Sequence, residues 1–572
     1  MFVRVKSTPN SPRKSIQIVE SVRKGNKVSQ KIVRYVGIAM DDDELEKLKS
    51  LAESIKIKLE ADQQELLFPP EEMAKMKEKS EKISETTTDK DYQVDIRNLK
   101  EEQRVINGIQ DVYGALFEEL GFTKTIKNPA RNKSSVEIFK DIVLARIANP
   151  LSKRASVDML EEDFGVTLNL DRVYKMMDKL DDNAISKIND IAYQMTLNLF
   201  ENKIDVIFYD CTTIYFEAFE EDELRKNGFS KDLKFNQPQV LLALMVTTEG
   251  LPIGYRLFDG SKYEGHTLIP VLQELKQKYN LNKVVFVADS GLMNEKNLEE
   301  LENKNSLDEF DSSKIDYIVG ARIKNLPAQL KKKILDLSNY VEINTNETGY
   351  KIASFDHKGR KLIVNYSPKR AKKDALDRQK SIERLEKKLA KQKNPNDYLS
   401  KFGNSKYLKL VGESSIELNT EKIEADSKWD GLLGVITNTS DFTREEIIKQ
   451  YCNLWQVENA FRVTKHDLKV RPVYHWKPER VKAHIAISFV AYTMVKHLEY
   501  RVKLQFKKLS PEKIRQILIK VQTSIMYDSK KNIRYALPSK ISLEAKKIYK
   551  IVNIPIKSTP YILEKCSAQQ KK

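Results

Sequence analysis

Three carboxylates in this sequence occupy positions from which they could bind a metal ion. Asp210 comes directly after the apolar run Val206–Tyr209, and Asp289 comes directly after the similar run Val284–Ala288. Burying an unpaired carboxylate beside such runs costs several kcal/mol of desolvation, on the order estimated for buried ions, unless a cation is bound. If the two runs are neighbouring strands, both aspartates point into one cleft, where Glu458 could supply a third carboxylate.

This carboxylate trio has the composition of a site for a hard cation. It offers only oxygen ligands, with no cluster of His or Cys residues, which suits Mg²⁺ or Mn²⁺ better than zinc. Two such ions about 3.5–4 Å apart would activate a water or hydroxyl and stabilise the leaving oxygen during phosphodiester cleavage. The residues alone leave two simpler interpretations open. Each aspartate could cap a turn, and Glu458 could form a surface i,i+4 pair with Arg462.

Glu458 falls in a stretch that the sequence predicts as one helix, from Thr443 to about Lys469. Thr443 and Glu446 form a capping box that marks the start of this helix. One face carries first large side chains and then, at 3.6 residues per turn, charged ones. The members of this face are Ile447, Tyr451, Leu454 and Trp455, followed by Glu458, Arg462 and Lys465. A helix that only covers a core would not need a carboxylate flanked by two cations.

The charge of the chain favours a polyanionic partner. Its 99 Lys and Arg residues against 82 Asp and Glu residues give a net charge of +17, which suits nucleic-acid binding, although many other soluble proteins are basic. The three cysteines lie far apart, which argues against a disulfide framework or a zinc site and fits a reducing cytosol. The first residues lack the apolar run of a signal peptide, and the longest apolar stretch, near residues 483–495, is too short to span a membrane. We therefore expect a soluble, cytoplasmic protein with no membrane partner.

Changes in composition and hydrophobic periodicity divide the chain into seven segments. In chain order they are a small basic β meander (1–40), a helix and charged linker (41–105), a helical candidate DNA-binding domain (106–200), the first part of an α/β core (201–330), a β-rich insertion domain (331–430), the second part of that core (431–500) and a helical C-terminal region with a basic tail (501–572). Three neighbouring β runs begin the core, and alternating helix and strand patterns follow them. This order indicates a mixed sheet.

Several stretches of the chain resemble one family of mobile-element enzymes. Tyr451, Leu454, Glu458 and Lys465 have the spacing of the Tyr-Arg-Glu-Lys signature of bacterial insertion-sequence DDE transposases of the "fourth" insertion-sequence superfamily. Further stretches that look like this group are Asp210–Thr213, Leu251–Tyr255, Tyr263–Thr267, Val287–Leu292, Arg471–Trp476, Met1–Val5 and Gln17–Ser21. The likeness covers most of the chain. Together the matches are specific, whereas each one alone is weak.

The resemblance implies an RNase H-like catalytic core, in which the β-rich insertion precedes the helix with the last acidic residue. Asp210, Asp289 and Glu458 would be the catalytic residues and the ligands of two Mg²⁺ ions, with Mn²⁺ as an alternative. The implied chemistry is hydrolytic nicking at the transposon ends, followed by attack of the freed 3′ hydroxyl on target DNA. The implied partners are double-stranded DNA, namely the terminal inverted repeats and the target, bound by a homodimer of a prokaryotic, nucleoid-associated protein.

The signature residues around Glu458 imply contacts to DNA, with one departure. Tyr451 and Lys465 match the residues that contact DNA near the cleavage site in this family. Position 454 is a leucine where the family usually has arginine, and Leu454 cannot bind phosphate. Arg462, one helical turn beyond Glu458, is the cation whose position lets it substitute.

We therefore predict a DDE transposase that cleaves DNA at inverted-repeat ends with the help of metal ions and transfers the strand into target DNA. Two alternatives from other classes remain. One is an RNase H-like DNA nuclease that cuts without strand transfer. The other is a catalytically impaired, transposase-derived protein that only binds DNA, an alternative that Leu454 keeps open.

Overall fold

The computed structural model describes most of the chain. The described residues are 2–7, 14–24, 27–39, 45, 48–49, 52, 92–200, 204–217, 220–228, 236–279, 285–291, 295–302, 315–344, 347–389, 406–411, 415–471 and 473–565. Contacts divide the chain into a first unit, Met1–Ala192 with Thr464–Lys572, and a second unit, Tyr193–Val463. Most of the predicted linker and the end of the predicted basic tail lie outside the described residues. The boundaries of the seven segments stay predictions.

The N-terminal strands form a three-stranded antiparallel sheet in the order β1-β2-β3. The strands are β1 (Phe2–Ser7), β2 (Lys14–Lys24) and β3 (Lys27–Ala39). Ile16 and Ile18 are two residues apart on β2 and therefore lie on the same face. They form a small apolar cluster with Val36 and Ala39 of β3, and this cluster holds the sheet together.

Residues 99–199 contain one strand and five helices. They are β4 (Leu99–Ile106), α1 (Asn107–Glu119), α2 (Lys133–Ala148), α3 (Lys153–Phe164), α4 (Leu170–Met177) and α5 (Asp182–Leu199). α2 packs against α1, α3 and α4, and it buries side chains on most of its surface, as a helix at the centre of a bundle does. The Ser152 side chain caps the start of α3, and Gly165 ends this helix in the left-handed conformation that glycine favours.

The strands of the second unit form one large mixed sheet and one hairpin. In chain order they are β5 (Val206–Tyr215), β6 (Gln239–Val246), β7 (Pro252–Asp259), β8 (Val285–Ala288), β9 (Asp316–Gly320), β10 (Val341–Glu342), β11 (Lys351–His357), β12 (Arg360–Tyr366), β13 (Leu408–Val411), β14 (Ser415–Leu418) and β15 (Leu432–Thr437). The large sheet has the order β10-β11-β12-β15-β9-β8-β5-β6-β7, and β13 pairs with β14. The mixed sheet predicted from the sequence is confirmed.

Strand direction changes within this sheet. β5, β8 and β9 run parallel to one another, and the other neighbours pair antiparallel. β5 lies between β6 and β8, and its burial on both faces explains why its sequence is a nearly continuous apolar run. The helices of this unit are α6 (Leu268–Tyr279), α7 (Glu295–Leu301), α8 (Ala328–Leu335), α9 (Pro368–Leu389), α10 (Thr420–Ser427), α11 (Arg444–Cys452) and α12 (Trp455–Arg462).

The strands of the predicted insertion continue the central sheet. β12 pairs with β15, and β15 pairs in turn with β9, so β10, β11 and β12 extend the core on one side. Three helices, α8 to α10, lie in the same region. The expectation of a separate β-rich domain is therefore corrected: the region is mixed, and its larger strands satisfy an exposed sheet edge by pairing with the core.

The last part of the chain combines helices and strands. It contains α13 (Pro478–Gln505), α14 (Pro511–Ile519), β16 (Gln522–Asp528), β17 (Ile533–Pro538), α15 (Leu543–Ile551) and β18 (Tyr561–Lys565). β16 pairs with the distant strand β4, which gives a sheet of order β18-β17-β16-β4. The predicted helical region 501–572 is therefore wrong, because the partner that stabilises these strands lies far away in the sequence. In the described part of the chain, no helix is long and apolar enough to cross a membrane.

Two glycines of α1 form a matched pair for testing its packing. A Cβ added at Gly108 would lie 2.2 Å from the carbonyl oxygen of Leu518, whereas one at Gly114 would find its nearest neighbour, Leu144 Cδ1, at 3.9 Å. We expect Gly108→Ala to destabilise the protein by about 1–3 kcal/mol through overpacking. Gly114→Ala should stabilise it by about 0.5–1 kcal/mol, because alanine loses less backbone entropy in a helix. Urea unfolding followed by circular dichroism measures both, and equal stability of the Gly108→Ala variant and the parent would contradict this packing.

Candidate catalytic site

The central sheet brings Asp210 and Asp289 side by side. β5 and β8 pair in parallel with Tyr209 opposite Ala288, so the next residue on each of the two segments is an aspartate. Neighbouring strands lie about 4.8 Å apart, and residues in register point to the same face of a sheet. Asp210 lies in the middle of β5 rather than at its end, because β5 continues along β6. The two aspartates nevertheless meet where the parallel pairing ends.

The backbone holds one oxygen of each aspartate. Asp210 Oδ1 accepts a hydrogen bond from the N–H of Cys211 at 2.7 Å, and Asp289 Oδ1 accepts one from the N–H of Ser290 at 2.6 Å. The same contact on both segments restricts both side chains in the same way. Asp210 is half-buried and Asp289 is exposed, so the pair is accessible from solvent.

The aspartates face away from the main apolar core of the sheet. Tyr209, Cys211 and Ala288 belong to a cluster with side chains of α6 and α7. Because successive residues of a strand point to opposite faces, Asp210 points to the other side. α12 contacts β5 and β6, and its three buried side chains lie outside that cluster. α12 therefore covers the face on which Asp210 lies.

Glu458 is on the exposed side of α12. It lies in the first turn of that helix, where the helix dipole favours a negative charge. Among the residues that the structure describes, no group of three or more His, Cys, Asp or Glu side chains is close enough to hold a metal ion. The structure thus brings Asp210 and Asp289 together and leaves Glu458 nearby in the fold but outside their immediate group.

The aspartate pair has the chemistry of a divalent-cation site. Two carboxylates at this spacing repel each other, and a cation between them removes the repulsion. Oxygen ligands suit a hard ion such as Mg²⁺ or Mn²⁺. The donor set of Asp210 and Asp289 therefore fits a hard divalent cation.

Tyr451 of α11 contacts this pair from the side of β9. Its hydroxyl donates a hydrogen bond to Asp289 Oδ1 at 3.4 Å and lies against Gly320, where an added Cβ would be 2.3 Å from the hydroxyl oxygen. Burial, and then the nearby charge of Asp289, raise the pKa of Tyr451 above its ordinary value. The hydroxyl therefore stays protonated and able to donate. Sequence reasoning found Tyr451 but missed Gly320, whose one signal is a glycine at the end of an apolar strand.

The long helix predicted for this region is interrupted. Two residues separate α11 from α12, and residues 463–467 form a π-helical turn. In the break, the N–H of Leu454 bonds to the carbonyl of Tyr451, and the N–H of Gln456 bonds to the carbonyl of Asn453. These three-residue hydrogen bonds are tighter than those of an α-helix. The predicted capping box at the start of α11 is present.

The break changes which side chains are packed. Trp455, expected in the core-facing stripe, is 50% exposed, and Leu454 is half-buried. A turn with three residues rotates each residue by about 120° rather than 100°. The packed face of α12 therefore does not continue the packed face of α11. The predicted continuous stripe is wrong, and Val457, Ala460 and Phe461 pack instead.

The two predicted DNA-contacting cations differ in their surroundings. Arg462 is exposed and donates to Asn459 Oδ1 from Nη2 at 3.0 Å and from Nε at 3.2 Å. These two hydrogen bonds hold the guanidinium of Arg462 along α12. Lys465 lies in the π-helical turn, is half-buried and belongs to the first unit, whereas the three carboxylates belong to the second.

A threonine that sequence reasoning missed supports β5 from its other face. Thr267 Oγ1 accepts a hydrogen bond from the hydroxyl of Tyr209 at 2.7 Å and donates to the carbonyl of Glu264 at 2.6 Å. Burial raises the pKa of the neighbouring Cys211 thiol to about 12, so this cysteine is an inert core residue. The contact ties the segment after β7 to the strand that carries Asp210. Its signal in the sequence was the stretch Tyr263–Thr267.

The fold and the site define an α/β protein with an aspartate pair on adjacent parallel strands, and comparison with known families makes this specific. Residues 201–494, just over half of the chain, match the transposase DDE domain. Residues 2–65 match the N-terminal domain of IS1634 family transposases. The chain therefore belongs to the DDE transposase family and is of the insertion-sequence type.

Comparison with solved structures gives a weaker likeness. At 13% sequence identity, the chain is similar to a protein chain in a solved structure. That structure is described as the Mos1 transposase paired-end complex with left transposon end. The match covers 30% of this chain and 56% of that chain, with a TM-score of 0.13. The chain thus spans little more than half the length of that relative. No curated protein shows significant sequence similarity to the chain.

The close contact between Tyr451 and Gly320 can be tested with a double-mutant cycle. We expect Gly320→Ala to cost about 1–3 kcal/mol of stability, because its Cβ would overlap the Tyr451 hydroxyl. Removing that hydroxyl with Tyr451→Phe should recover part of this loss in the double variant. Urea unfolding of the parent, both single variants and the double variant gives the coupling energy. If the two substitutions are simply additive, the contact is not as described.

Proposed function

We propose that this chain is a DNA transposase that cleaves DNA at the inverted-repeat ends of its element and transfers the freed strand into target DNA. The observation that carries the proposal is the register of β5 and β8. It ends with Tyr209 opposite Ala288, so that Asp210 and Asp289 follow next to each other, and the helix that carries Glu458 packs on β5. Membership of the DDE transposase family supports the same chemistry.

We propose that the second unit has an RNase H-like core. Its sheet has three antiparallel strands, β7-β6-β5, continued by the parallel strands β8 and β9. Helices α6 and α7 cover one face, and α12 covers the other. This order supports the proposed fold because Asp210 then lies on a central strand and Asp289 directly follows its central neighbour β8.

We propose that Asp210, Asp289 and Glu458 hold two Mg²⁺ ions, with Mn²⁺ as an alternative. When bound, such ions activate a water or hydroxyl and neutralise charge on the phosphate. The chain contributes orientation: the N–H groups of Cys211 and Ser290 fix one oxygen of each aspartate. The protonated hydroxyl of Tyr451 adds a second restraint on Asp289.

Three side chains are proposed to contact DNA: Tyr451, Arg462 and Lys465. Arg462 takes the phosphate-binding role that the Tyr-Arg-Glu-Lys signature gives to position 454, here Leu454. Its exposure on α12 supports this role, since a guanidinium can bind phosphate in a planar, bidentate geometry and this one lies on the surface. The proposal also includes a homodimer on the DNA and a nucleoid-associated location, as in the resemblance to that superfamily.

An RNase H-like nuclease that does not join strands is the second candidate, since the same aspartate pair would serve hydrolysis alone. A labelled element end incubated with supercoiled target separates the two. Joined product supports a transposase, whereas cut ends without joined product support the nuclease. A transposase-derived DNA-binding protein predicts neither product.

The carboxylate assignment predicts the effect of single isosteric changes. Asp210→Asn and Glu458→Gln should each lower end cleavage by about a thousandfold, the rate equivalent of the several kcal/mol that metal-ion catalysis supplies. DNA affinity should stay nearly unchanged. A cleavage assay on labelled element ends with Mg²⁺ measures the rate, and anisotropy measures binding.

Asp259→Asn is the matched control for these variants. Asp259 also ends a strand of the same sheet, but its Oδ1 accepts from the N–H of Ser261 at 3.2 Å and from its hydroxyl at 2.5 Å, as in a turn cap. This variant should keep its cleavage activity. Cleavage that survives both Asp210→Asn and Glu458→Gln would falsify the assignment.

Whether Arg462 takes the role of the signature arginine can be tested by moving the positive charge from position 462 to position 454. Arg462→Leu should weaken binding to the element end and flatten the salt dependence of log affinity by about 0.9, the slope for one phosphate contact. Leu454→Arg in that background should restore both. Gln456→Arg, which adds the same charge two residues away, is the control and should restore less. Equal rescue by both arginines would show that only net charge matters.

A further inference from the structure

The first unit contains a cavity lined by cations and aromatic rings. Its volume is about 530 Å³, and its wall comes from the start of α3, from α4 and α13, and from the segment before α13. The charged and aromatic members of the wall are Lys153, Arg154, Tyr174, Lys469, Arg471, Tyr474 and two histidines. The proposed catalytic residues of the second unit play no part in it.

Lys153 has a buried amine in the wall of this cavity. The residue is 4% exposed, and its Nζ contacts Nδ1 of His484 at 3.4 Å. The charged neighbour that acts on it is a cation, Arg146; burial, and then this neighbour, lower the pKa of Lys153 well below its ordinary value. In the described part of the chain, no carboxylate forms an ion pair with Lys153. Without an anion the site favours the neutral amine, and an anionic ligand in the cavity would stabilise the ammonium form.

Arg146 strengthens the positive potential behind the cavity. Its guanidinium is 3% exposed and donates to the carbonyls of Leu468 and Lys469, both at 2.9 Å, and of Leu151 at 3.3 Å. These bonds tie together two of the segments that line the cavity. Because the acceptors are neutral carbonyls, the charge of Arg146 is not cancelled by them.

The two histidines of the wall are neutral near pH 7. Burial, followed by the nearby cations, lowers the pKa of His475 to about 4 and that of His484 well below its ordinary value. His484 also makes a hydrogen bond to the carbonyl of Val470 through Nε2 at 3.0 Å. The histidines therefore shape the cavity. Arg146 and the cationic side chains of the wall supply its charge, to which the Lys153 ammonium adds when an anion is bound.

Two further features of the wall suit a nucleotide. α3 begins at the cavity. Ser152 already caps the N–H of Ala155, but the positive end of the helix dipole still favours an anion such as phosphate there. Tyr474 is 65% exposed, and an exposed aromatic ring beside a cationic groove is a stacking surface for a base. The volume lies within the range of small-ligand sites and exceeds what one phosphate needs.

We propose that this cavity binds a phosphate group of DNA, held by Lys153 and the start of α3, with the adjoining nucleotide against Tyr474. The source of the phosphate, though not the phosphate site itself, rests on the proposed function as a DNA-handling enzyme. The cavity would then be a further DNA contact, built on the first unit, and none of the proposed signature residues lines it.

The test compares two buried or half-buried lysines of the same helical bundle. Lys153→Met removes the unpaired ammonium at similar volume. Lys140→Met is the control, because Lys140 is already neutralised by Glu137 at 2.7 Å and Glu118 at 3.2 Å. Binding of a fluorescein-labelled duplex from the end of the encoding element is measured by anisotropy, without divalent metal and over a range of salt concentrations.

We expect Lys153→Met to weaken binding about tenfold, as for loss of a charged hydrogen bond, and to flatten the salt slope by about one. Lys140→Met should change neither. Thermal unfolding should show Lys153→Met to be at least as stable as the parent, because a buried polar group without an anionic partner is replaced by an apolar one. Unchanged affinity and slope in Lys153→Met would overturn the proposal.

A second measurement separates DNA from free phosphate and does not depend on DNA. Inorganic phosphate should raise the melting temperature of the parent more than that of Lys153→Met at equal ionic strength. If phosphate stabilises the parent while Lys153→Met binds DNA normally, the ligand is a free phosphate compound and the assignment to DNA is wrong. Because no arm needs cleavage, a chain that binds through Lys153 without cutting DNA refutes only the enzymatic function.

Discussion

Backbone hydrogen bonds between β5 and β8 hold Tyr209 opposite Ala288, and the rest of the candidate catalytic site depends on this register. It makes Asp210 and Asp289 neighbours on one face, while the residues before them enter the apolar core on the other. A slip of one residue would turn every side chain of a strand to the opposite face and bury the carboxylate in that core. The apolar runs of the two strands do not prevent such a slip by themselves. They prevent it together with the helices that cover the strands.

The helical region that contains α11 and α12, beside Asp210 and Asp289, is adapted to the same register of β5 and β8. Tyr451 reaches Asp289 because β9 ends in Gly320, which leaves room for the tyrosine hydroxyl. The backbone then forms one tighter turn before α12. The face of α12 that packs on the sheet is therefore not a continuation of the packed face of α11. As a result Glu458 and Arg462 are exposed, whereas an unbroken helix would have placed them in line with Ile447 and Tyr451.

Each of the two units brings side chains of like charge together, and the sign differs between the units. In the second unit two carboxylates lie together, which is the arrangement that a divalent cation stabilises. In the first unit Lys153 and Arg146 lie together behind a cavity, which is the arrangement that a phosphate stabilises. In both places a group of like charges is the arrangement that a ligand of opposite sign stabilises. For the proposed function, in which the protein would hold both metal ions and DNA, one site suits each kind of ligand.

The sequence by itself determined the features that depend on local pattern. Apolar runs identified the central strands, the capping box of Thr443 and Glu446 identified the start of α11, and the placement of Asp210 and Asp289 after such runs identified the metal-site candidates. The strands and the helix start are confirmed because burial on both faces and helix capping leave signatures within a few residues. The metal-site assignment of the two aspartates stays a prediction.

Only the tertiary structure decided features that depend on residues far apart. β16 is a strand because β4 pairs with it, and the strands after α8 join the main sheet because β15 lies between them and β9. The break before α12 follows packing on β5 and β6 rather than helix propensity, so Trp455 is exposed although its spacing predicted burial. The cavity around Lys153 also joins segments that are distant in the chain, and no short motif could have marked it. Local spacing cannot encode such contacts, because their energy comes from partners that only the folded chain brings together.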